Sequence, residues 1–334
     1  MAIILNPEGP EGLLSVEQLQ EIKEKFLAGE IIALPTETVY GLAALASCDD
    51  AVRKIYQLKK RPESLALILH IRGPADLDLW ADKISTTARL LATSFWPGHL
   101  TLILKKKISV SKLITGGRET VAIRAPNHPI FQQILTILEG KGIVAPSANL
   151  FTKVSPTIAS DVAENFVDES NLIIIDGGSC QVGIESTILD AISAPLRITR
   201  TGMITSKEIQ KVIGSKDKIE SHTTVIAGEC PGTHKTHYQP KTPLLYLSFE
   251  EIQRLNLNNI KVALVLKGER ELPKFQTGFQ IHSLPENPSG FANGFYKLLY
   301  KLDRGKYNLI VIYDNLGFSE EWQGIRDRIK RASS

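Results

Sequence analysis

The sequence predicts an α/β or α+β layered protein with two domains, on three observations. Apolar runs typical of buried strands alternate with amphipathic helical stretches to about residue 214, which predicts a first domain over 1–214. Residues 215–243 are polar, interrupted by Gly and Pro, and too long for a routine connection, so they form a linker or a functional lid. Buried strands flanked by helices then predict a second, smaller α/β domain over 244–334.

The first elements are a helix and a strand that lead into a polar turn. Ser15 and Gln18 form a capping box, apolar residues follow at helical spacing, and Gly29 ends the helix. The apolar run 31–34 is the first predicted strand, and the turn PTETVYGL follows it at 35–42. Taken alone, this turn is an ordinary polar loop between a strand and a helix. Its threonines, glutamate and tyrosine also make it a candidate site.

The remaining elements follow in order. A second helix begins at Asp49 and runs into KKRP at 59–62, where the proline predicts its end. Apolar or alternating runs predict strands at 65–71, 99–105, 120–126, 143–146, 172–176, 262–266 and 309–314. The last helix, about 320–332, turns three apolar residues inward: Trp322, Ile325 and Ile329.

Composition and charge argue against several classes of protein. With 39 basic and 36 acidic residues, the net charge of +3 does not support a bulk nucleic-acid binder. Cys48, Cys180 and Cys230 lie far apart without a CxxC pair, which argues against a disulfide framework. There is no signal-peptide pattern, and no apolar run reaches the ~18 residues of a membrane span. We therefore expect a cytoplasmic protein without membrane association.

Several common catalytic motifs are absent from the sequence. It contains no GxxxxGK[ST], GxGxxG, GxSxG or HExxH, so a P-loop ATPase, a Rossmann dehydrogenase and a standard α/β-hydrolase are not supported. Cys230, His234 and His237 offer only three candidate zinc ligands, with a lysine between the histidines, so a solvated linker is favoured. We predict no protein metal site.

What remains is a series of polar turns at the ends of strands. Lys59 and Arg61 suit oligophosphate binding, the arginine as a fork and the lysine as a point charge. They suit equally a solvated helix end whose basic residues complement the helix dipole. Further polar turns are APSAN at 145–149, SPT at 155–157, GGSCQVGIESTI at 177–188 and RTG at 200–202. Taken alone, Ser155 is also a plain helix N-cap candidate.

The order of these motifs closely resembles that of the YrdC-like family. PTETVYGL, KxRP, FWPG, VAIRAP, APSAN, SPT, DGG, GIESTI and R-x-G follow one another along the chain. The linker with HYQP and the terminal α/β domain look like the long, two-domain form of the threonylcarbamoyl-AMP synthases in this family. The resemblance covers essentially the whole chain. It implies a twisted mixed-sheet α/β domain with a concave positive groove, and a smaller Rossmann-like C-terminal domain.

The resemblance also implies a reaction. L-threonine, bicarbonate or carbon dioxide, and ATP would give threonylcarbamoyl-adenylate and pyrophosphate. A tRNA threonylcarbamoyl transferase complex would use the product on an adenosine beside the anticodon, and a weak tRNA contact belongs to this expectation. Mg²⁺ would accompany ATP, held mostly by phosphate oxygens and water. Because the nucleophile comes from the substrate, positioning and charge neutralisation would supply most of the catalysis.

The same resemblance assigns roles to residues. Lys59 and Arg61 match the family's KxR and would be catalytic, holding the ATP phosphates. Threonine would be bound by Thr36, Thr38, His70, Arg124, Ser147 and Thr187. The other nucleotide-binding positions would be Leu65, Thr120, Asn149, Ser155, Arg200 and Tyr238. At Leu65-Ala66 the chain departs from the family, which usually carries Asn-Pro or similar there.

Two rival functions remain open. The first is an RNA-binding YrdC-like module without adenylate synthesis, against which the near-neutral composition weighs. The second is a carbamoyl transferase using carbamoyl phosphate, as in larger proteins that embed this domain. Pyrophosphate release that requires both threonine and bicarbonate would separate all three. We also expect 215–243 to fold over the groove and to place Tyr238 near the nucleotide.

Overall fold

The computed structural model describes residues 2–215, 217–220, 237–268 and 278–333. Its strands are β1 (Ile3–Leu5), β2 (Ile32–Leu34), β3 (Gly41–Leu45), β4 (Ile68–His70), β5 (Ala81–Asp82), β6 (Leu100–Lys106), β7 (Thr120–Arg124), β8 (Ile143–Val144), β9 (Ile173–Ile175), β10 (Thr187–Asp190), β11 (Leu196–Arg200), β12 (Ile219–Glu220), β13 (Leu244–Leu247), β14 (Val262–Lys267), β15 (Phe279–Leu284) and β16 (Leu309–Tyr313). The helices are α1 (Val16–Leu27), α2 (Asp49–Lys59), α3 (Leu77–Trp80), α4 (Thr86–Phe95), α5 (Lys112–Thr115), α6 (Pro129–Ile137), α7 (Ala159–Asn165), α8 (Ser206–Ile213), α9 (Phe249–Gln253), α10 (Pro288–Arg304) and α11 (Gln323–Ala332). Within the described ranges, no helix combines the length and the apolar character that a membrane crossing requires.

The first domain is built on one large mixed sheet. Among the described residues, twelve strands form it: eleven in the order β1-β9-β2-β3-β8-β4-β7-β6-β10-β11-β12, with β5 paired to β6. The sheet combines parallel pairs, such as β4 with β7, and antiparallel pairs, such as β2 with β3. The predicted α/β class with a twisted mixed sheet is confirmed, and the sheet extends past Gly214 to β12.

Alternate residues of each strand pack on opposite faces of this sheet. Ile32 and Leu34 of β2 join the apolar cluster that contains residues of α1 and α6. Ala33, between them, joins a separate cluster with residues of α2, α4, α7 and α8. Since successive side chains of a strand point to opposite faces, a buried strand covered on both sides is apolar throughout. This pattern explains the uninterrupted apolar runs of the sequence.

The polar turn PTETVYGL joins two strands, and the expectation of a helix after it is wrong. β3 follows the turn and pairs antiparallel with β2, with Gly41 opposite Leu34. A Cβ at Gly41 would lie 3.0 Å from the Cβ of Ala145, so glycine lets the APSAN loop approach β3 closely. Gly41 also bridges to Ser147. The turn and the APSAN loop are therefore held side by side.

The second domain contains a parallel sheet in the order β13-β16-β14-β15. Helix α10 fastens this domain to the first one through polar contacts along one face. The Tyr300 hydroxyl donates to the Val154 carbonyl at 2.9 Å, and Arg304 Nε donates to Glu164 Oε1 at 2.7 Å. The Rossmann-like C-terminal domain is thus held against the first domain by hydrogen bonds from α10 side chains.

Two close backbone approaches bring α10 and α11 against the first domain. A Cβ at Gly183, where φ is +86°, would lie 2.4 Å from the Ala292 carbonyl oxygen. A Cβ at Gly324 in α11 would lie 2.7 Å from the Gly202 carbonyl oxygen. The apolar core of the second domain includes three first-domain residues: Val39, Val154 and Ile184. The two domains therefore share part of one core.

Candidate active site

The polar turns of the first domain converge on one groove. It lies beside the ends of β2, β4, β7 and β8 and reaches the start of β10. Its polar lining consists of Thr36, Thr38, Arg61, His70, Arg124, Ser147, Glu185, Ser186, Arg200, His237 and Tyr238. Motifs that are far apart in the sequence therefore meet at one site.

The PTETVYGL turn holds Arg124 in place. Arg124, only 3% exposed, donates from Nη1 to Thr38 Oγ1 at 2.9 Å and from Nε to the Gly98 carbonyl at 3.0 Å. Its Nη2 lies 2.7 Å from Glu37 Oε1, and the Thr36 and Thr38 hydroxyls are 2.9 Å apart. Burial alone would raise the pKa of Glu37, but the charge of Arg124, together with hydrogen bonds from Arg124 and from backbone N–H groups, lowers it. The turn thus fixes the side chain of Arg124, which belongs to β7, and supplies its ionic partner.

Lys59 and Arg61 are buried, so the alternative of a solvated helix end is wrong. Lys59 is 1% exposed, and its Nζ donates to the carbonyl oxygens of Ser147 and of Asn149. Arg61 is 9% exposed, and its Nη2 donates to the Ala66 carbonyl at 2.9 Å. Lys59 therefore fastens the APSAN loop to α2, while Arg61 lines the groove.

Burial lowers the pKa of the basic groups in and next to the groove. It lowers the pKa of Lys59 well below its usual value, helped by neighbouring Arg61, and lowers that of Arg61 to about 10. Burial also lowers the pKa of Arg200, and it lowers those of His70 and His237 to about 3. Cations held out of water in this way would be stabilised by an anion bound among them.

Several buried polar atoms around the groove have no hydrogen-bond partner among the described residues. They are Arg61 Nε, His70 Nδ1, Asn149 Oδ1 and the Tyr238 hydroxyl. Leaving a buried polar group unpaired costs ~1–3 kcal/mol, so native proteins rarely keep several together. Donors and acceptors grouped in this way are typical of a site that binds a polar ligand.

Tyr238 lies inside the groove. It is 1% exposed, with a φ of 62°, and its ring stacks on Tyr296 of α10 with centroids 5.8 Å apart. The neighbouring Gln239 donates its backbone N–H to the Thr152 carbonyl at 2.9 Å. Most of the predicted lid, at 221–236, lies outside the described residues. The described end of that segment reaches the groove through HYQP.

Not every predicted site residue lines the groove. Of the described residues predicted to bind substrate, those absent from its lining are Lys59, Leu65, Thr120, Asn149, Ser155 and Thr187. Thr187 is fully buried, and its hydroxyl donates to the Ile204 carbonyl at 2.8 Å. Leu65 offers only its carbonyl, which accepts from the Tyr56 hydroxyl at 2.9 Å. Lys59 and Ser155 bond to the lining residues Ser147 and Glu185, whereas Thr120 begins β7 at the end opposite Arg124.

Sequence reasoning missed the partners of the second buried carboxylate, Glu185. Glu185 Oε1 accepts a hydrogen bond from Ser155 Oγ at 2.6 Å. The alternative of Ser155 as a helix N-cap is wrong, because the N-cap position of the next helix, α7, is Ile158. Glu185 Oε2 accepts from Arg328 Nε at 2.8 Å and from the Tyr296 hydroxyl at 3.1 Å. Arg328 could have been noticed, because it falls on the apolar face of the predicted last helix.

The described residues offer no ready cage for a divalent metal. None of the groups of His, Cys, Asp and Glu in the described ranges brings three potential ligands together. Glu185 of the groove lining and Glu37 of the adjacent PTETVYGL turn are each paired with an arginine. Cys230 and His234, two of the three residues considered for zinc, lie outside the described residues.

The fold and site together define a YrdC-type α/β protein with a polar, arginine-lined groove and an attached Rossmann-like domain. A family model for the Sua5, YciO and YrdC proteins, described as "Telomere recombination", matches residues 24–202. A second, described as "Threonylcarbamoyl-AMP synthase, C-terminal domain", matches 204–334. The chain belongs to the Sua5/YrdC family, in its two-domain Sua5 form. It is an enzyme of the threonylcarbamoyl-AMP synthase class, a class of tRNA modification enzymes, as its motifs predicted.

Individual relatives agree with this assignment. The chain is 34% identical to a threonylcarbamoyl-AMP synthase of Pyrococcus abyssi over 95% of its own length and 96% of that protein. It is 42% identical to the Bacillus subtilis enzyme of that name over 68% of this chain and 66% of the other. The crystal structure of P. abyssi Sua5 complexed with L-threonine superposes with a TM-score of 0.87 at 31% identity, covering 99% and 98% of the two chains.

Proposed function

We propose that the groove joins L-threonine, bicarbonate or carbon dioxide, and ATP into threonylcarbamoyl-adenylate and pyrophosphate. The observation that carries the proposal is the set of buried cations beside unpaired buried donors and acceptors. Such a site favours an anionic, strongly hydrogen-bonding ligand such as a triphosphate. A threonine complex of a relative superposes on the whole chain, which supports threonine as the second substrate.

The two halves of the groove would divide the substrates. Thr38, Arg124 and His70 lie at the β2–β7 end, where Arg124 would meet the threonine carboxylate. Arg61, Arg200 and Tyr238 would surround the nucleotide, while Lys59 would hold the APSAN loop against it. The other residues predicted to contact the substrates do not line the groove, and in this proposal they support the residues that do. They are Leu65, Thr120, Asn149, Ser155 and Thr187.

The chemistry requires no nucleophile from the protein. The threonine amine adds to carbon dioxide, loses a proton and becomes a carbamate. A carbamate oxygen then attacks the α-phosphorus of ATP, and pyrophosphate leaves. Arg61 and Arg200 would neutralise charge that develops on the phosphates, in a site from which burial already excludes water. The adenylate would then pass to a tRNA threonylcarbamoyl transferase complex, with a weak tRNA contact on the way.

The test is pyrophosphate release by the purified full-length chain. We expect release only when ATP, L-threonine and bicarbonate are all present, with threonylcarbamoyl-adenylate identified by mass spectrometry. Omitting either threonine or bicarbonate is the matched control. Release without threonine would overturn the proposal, and tight, salt-sensitive tRNA binding without any release would favour the RNA-binding alternative.

A further inference from the structure

A carboxylate stands where the proposed reaction needs positive charge. Glu185 lines the groove beside Arg61, Arg200 and Tyr238, and it is 7% exposed. An unpaired carboxylate at this position would repel a triphosphate strongly, because a buried site screens charge poorly. Something must therefore cancel this charge before ATP binds.

The cancelling group comes from the other domain. Arg328 of α11 is fully buried, and its Nε donates to Glu185 Oε2 at 2.8 Å. Its Nη1 donates to the Thr201 carbonyl at 2.8 Å, in the turn that carries Arg200. Its guanidinium also lies 5.2 Å from the centroid of the Tyr238 ring. One side chain thus contacts the carboxylate, the basic turn and the HYQP segment.

We infer that Arg328 is a positioning residue for the nucleotide end of the groove, and that it acts by neutralising and orienting Glu185. The inference rests on the proposed function for the identity of the ligand as ATP. With Arg328 in place, Glu185 holds Ser155 through its other oxygen at 2.6 Å and faces the phosphates as an ion pair rather than as a bare carboxylate. Asp327, the other carboxylate beside Arg328, is itself paired with Arg331. The C-terminal domain thereby sets the charge of a groove that is built in the first domain.

The ionisation of Glu185 agrees with this arrangement. Burial by itself would raise the pKa of Glu185, but the charges of Arg328 and Arg200, with hydrogen bonds from Ser155 and Arg328, hold it at about 2. Without Arg328, the effect of burial is less opposed, so the pKa of Glu185 rises. Lower pH would then protonate the carboxylate and remove its repulsion.

The experiment compares Arg328→Met with Arg304→Met in the full-length chain. Arg304 also bridges the domains, to Asp161 and Glu164, but lies outside the groove. Calorimetry with a non-hydrolysable ATP analogue should give a Kd raised on the order of 10- to 100-fold in Arg328→Met, since an uncompensated charge faces the phosphates. We expect the Arg304→Met Kd to stay close to wild type, and threonine binding to be unchanged in both.

Rescue separates this role from a merely structural one. Adding Glu185→Gln to Arg328→Met removes the unpaired charge and should restore most of the affinity for the ATP analogue. Proteins in which both members of a buried ion pair are replaced by neutral residues usually fold. The Kd ratio of Arg328→Met to wild type should also fall from pH 8 to pH 6. A folded double variant that binds no better than Arg328→Met would overturn the inference. If Arg328→Met itself does not fold, a folded double variant without analogue affinity overturns it equally.

These outcomes are distinct from failure of the proposed function. Absence of adenylate synthesis by the wild-type chain, with the analogue pattern intact, would refute the reaction and leave the role of Arg328 standing. Normal adenylate synthesis by the wild-type chain, with equal analogue affinity in all folded variants, would support the reaction and refute the role of Arg328.

Discussion

Lys59 shows how one buried cation organises several parts of the groove. Its ammonium group donates to two carbonyls of the APSAN loop, while Arg61, two residues past the end of α2, faces the groove. Because burial and Arg61 both lower the pKa of Lys59, this pair is poised for a nearby anion. The pKa values of Lys59 and Arg61 thus depend on their burial as well as on residue type.

We predict that Lys59→Ala and Arg61→Ala each reduce adenylate formation on the order of 10- to 100-fold, since a hydrogen bond to a charged group contributes ~1.5–3 kcal/mol. Exposed Lys60 adjoins them at the end of the same helix, so Lys60→Gln is a matched control for the loss of positive charge. Pyrophosphate release measures activity, and circular dichroism checks the fold. Full turnover in both alanine variants would refute phosphate binding by Arg61 and the support that Lys59 gives it by holding the APSAN loop.

The buried histidines predict a pH dependence of stability. Burial lowers the folded-state pKa of His70 to about 3, below the ordinary value of 6.5. As the pH falls below about 6.5, the unfolded chain takes up a proton that the folded chain does not, so the free energy of unfolding decreases, by at most about 1.4 kcal/mol per pH unit for each such group.

His70→Gln should flatten this dependence between about pH 6.5 and pH 3, as measured by urea unfolding. Half-buried His282 provides the comparison variant, His282→Gln, which should change the slope less. Equal slopes for wild type and His70→Gln would show that His70 is protonated in the folded state.

Amino-acid selectivity should depend on the substrate hydroxyl. The Thr36 and Thr38 hydroxyls lie in the groove, and a site that hydrogen-bonds an OH rejects an analogue without one. Valine should therefore support far less pyrophosphate release than threonine at equal concentration, and serine should retain part of the activity. Comparable kcat/KM for valine and threonine would contradict this prediction.

At the scale of elements, the site is made by turns held against one another. The turn between β2 and β3 is fastened to the APSAN loop through Gly41 and Ser147. The HYQP segment is fastened to the loop after APSAN by a bridge between Lys153 and Gln239. Strands of the large sheet provide a rigid frame, while these turns carry the polar groups. Such a division is typical of binding sites.

We predict that Tyr238→Phe separates stability from nucleotide binding. The Tyr238 hydroxyl is buried and has no partner among the described residues, so its removal should leave the Tm equal or higher. If the hydroxyl meets the nucleotide, the KM for ATP should rise about 2- to 10-fold, the value of one neutral hydrogen bond. Thermal unfolding and ATP titrations measure the two effects. An unchanged KM would show that the Tyr238 hydroxyl does not bind the nucleotide and that only the ring contributes.

At the scale of the whole molecule, the second domain completes the first. Val39, Val154 and Ile184 of the first domain are buried in the core of the second. Arg328 supplies the ionic partner of Glu185 across the same boundary. A shared core and a shared ion pair make independent motion of the two domains costly. Activity should therefore depend on the intact chain.

We predict that a fragment ending at Glu220, which keeps the large sheet, loses most adenylate synthesis. It would expose the three shared apolar residues and leave Glu185 without Arg328, and truncation after Gly214 should have the same effect. Circular dichroism, dye binding and analogue titration test fold, exposed apolar surface and affinity. A folded fragment with full activity and unchanged ATP affinity would make the C-terminal domain dispensable and the connecting segment a simple tether.

The sequence by itself determined the elements that arise from local patterns. The capping box at Ser15 and Gln18 forms as predicted, with both reciprocal bonds. The apolar runs became strands, because two-sided burial requires side chains that are apolar throughout. The order of the polar motifs predicted the family and the mixed-sheet fold, since those motifs are themselves sequence patterns. The strand β3 escaped prediction because its small residues, GLAAL, resemble no strong strand pattern.

Only the tertiary structure decided which charges meet. Arg124 and Thr38 are 86 residues apart, and Arg328 and Glu185 are 143 apart, so no local periodicity links them. The burial of Lys59 at the end of a polar-looking helix likewise depends on a loop that arrives 88 residues later. Local sequence reports the preferences of a segment for helix, strand or turn. The partner and the dielectric surroundings of a side chain are set by whichever distant segment packs on it, and these determine its charge and its chemistry.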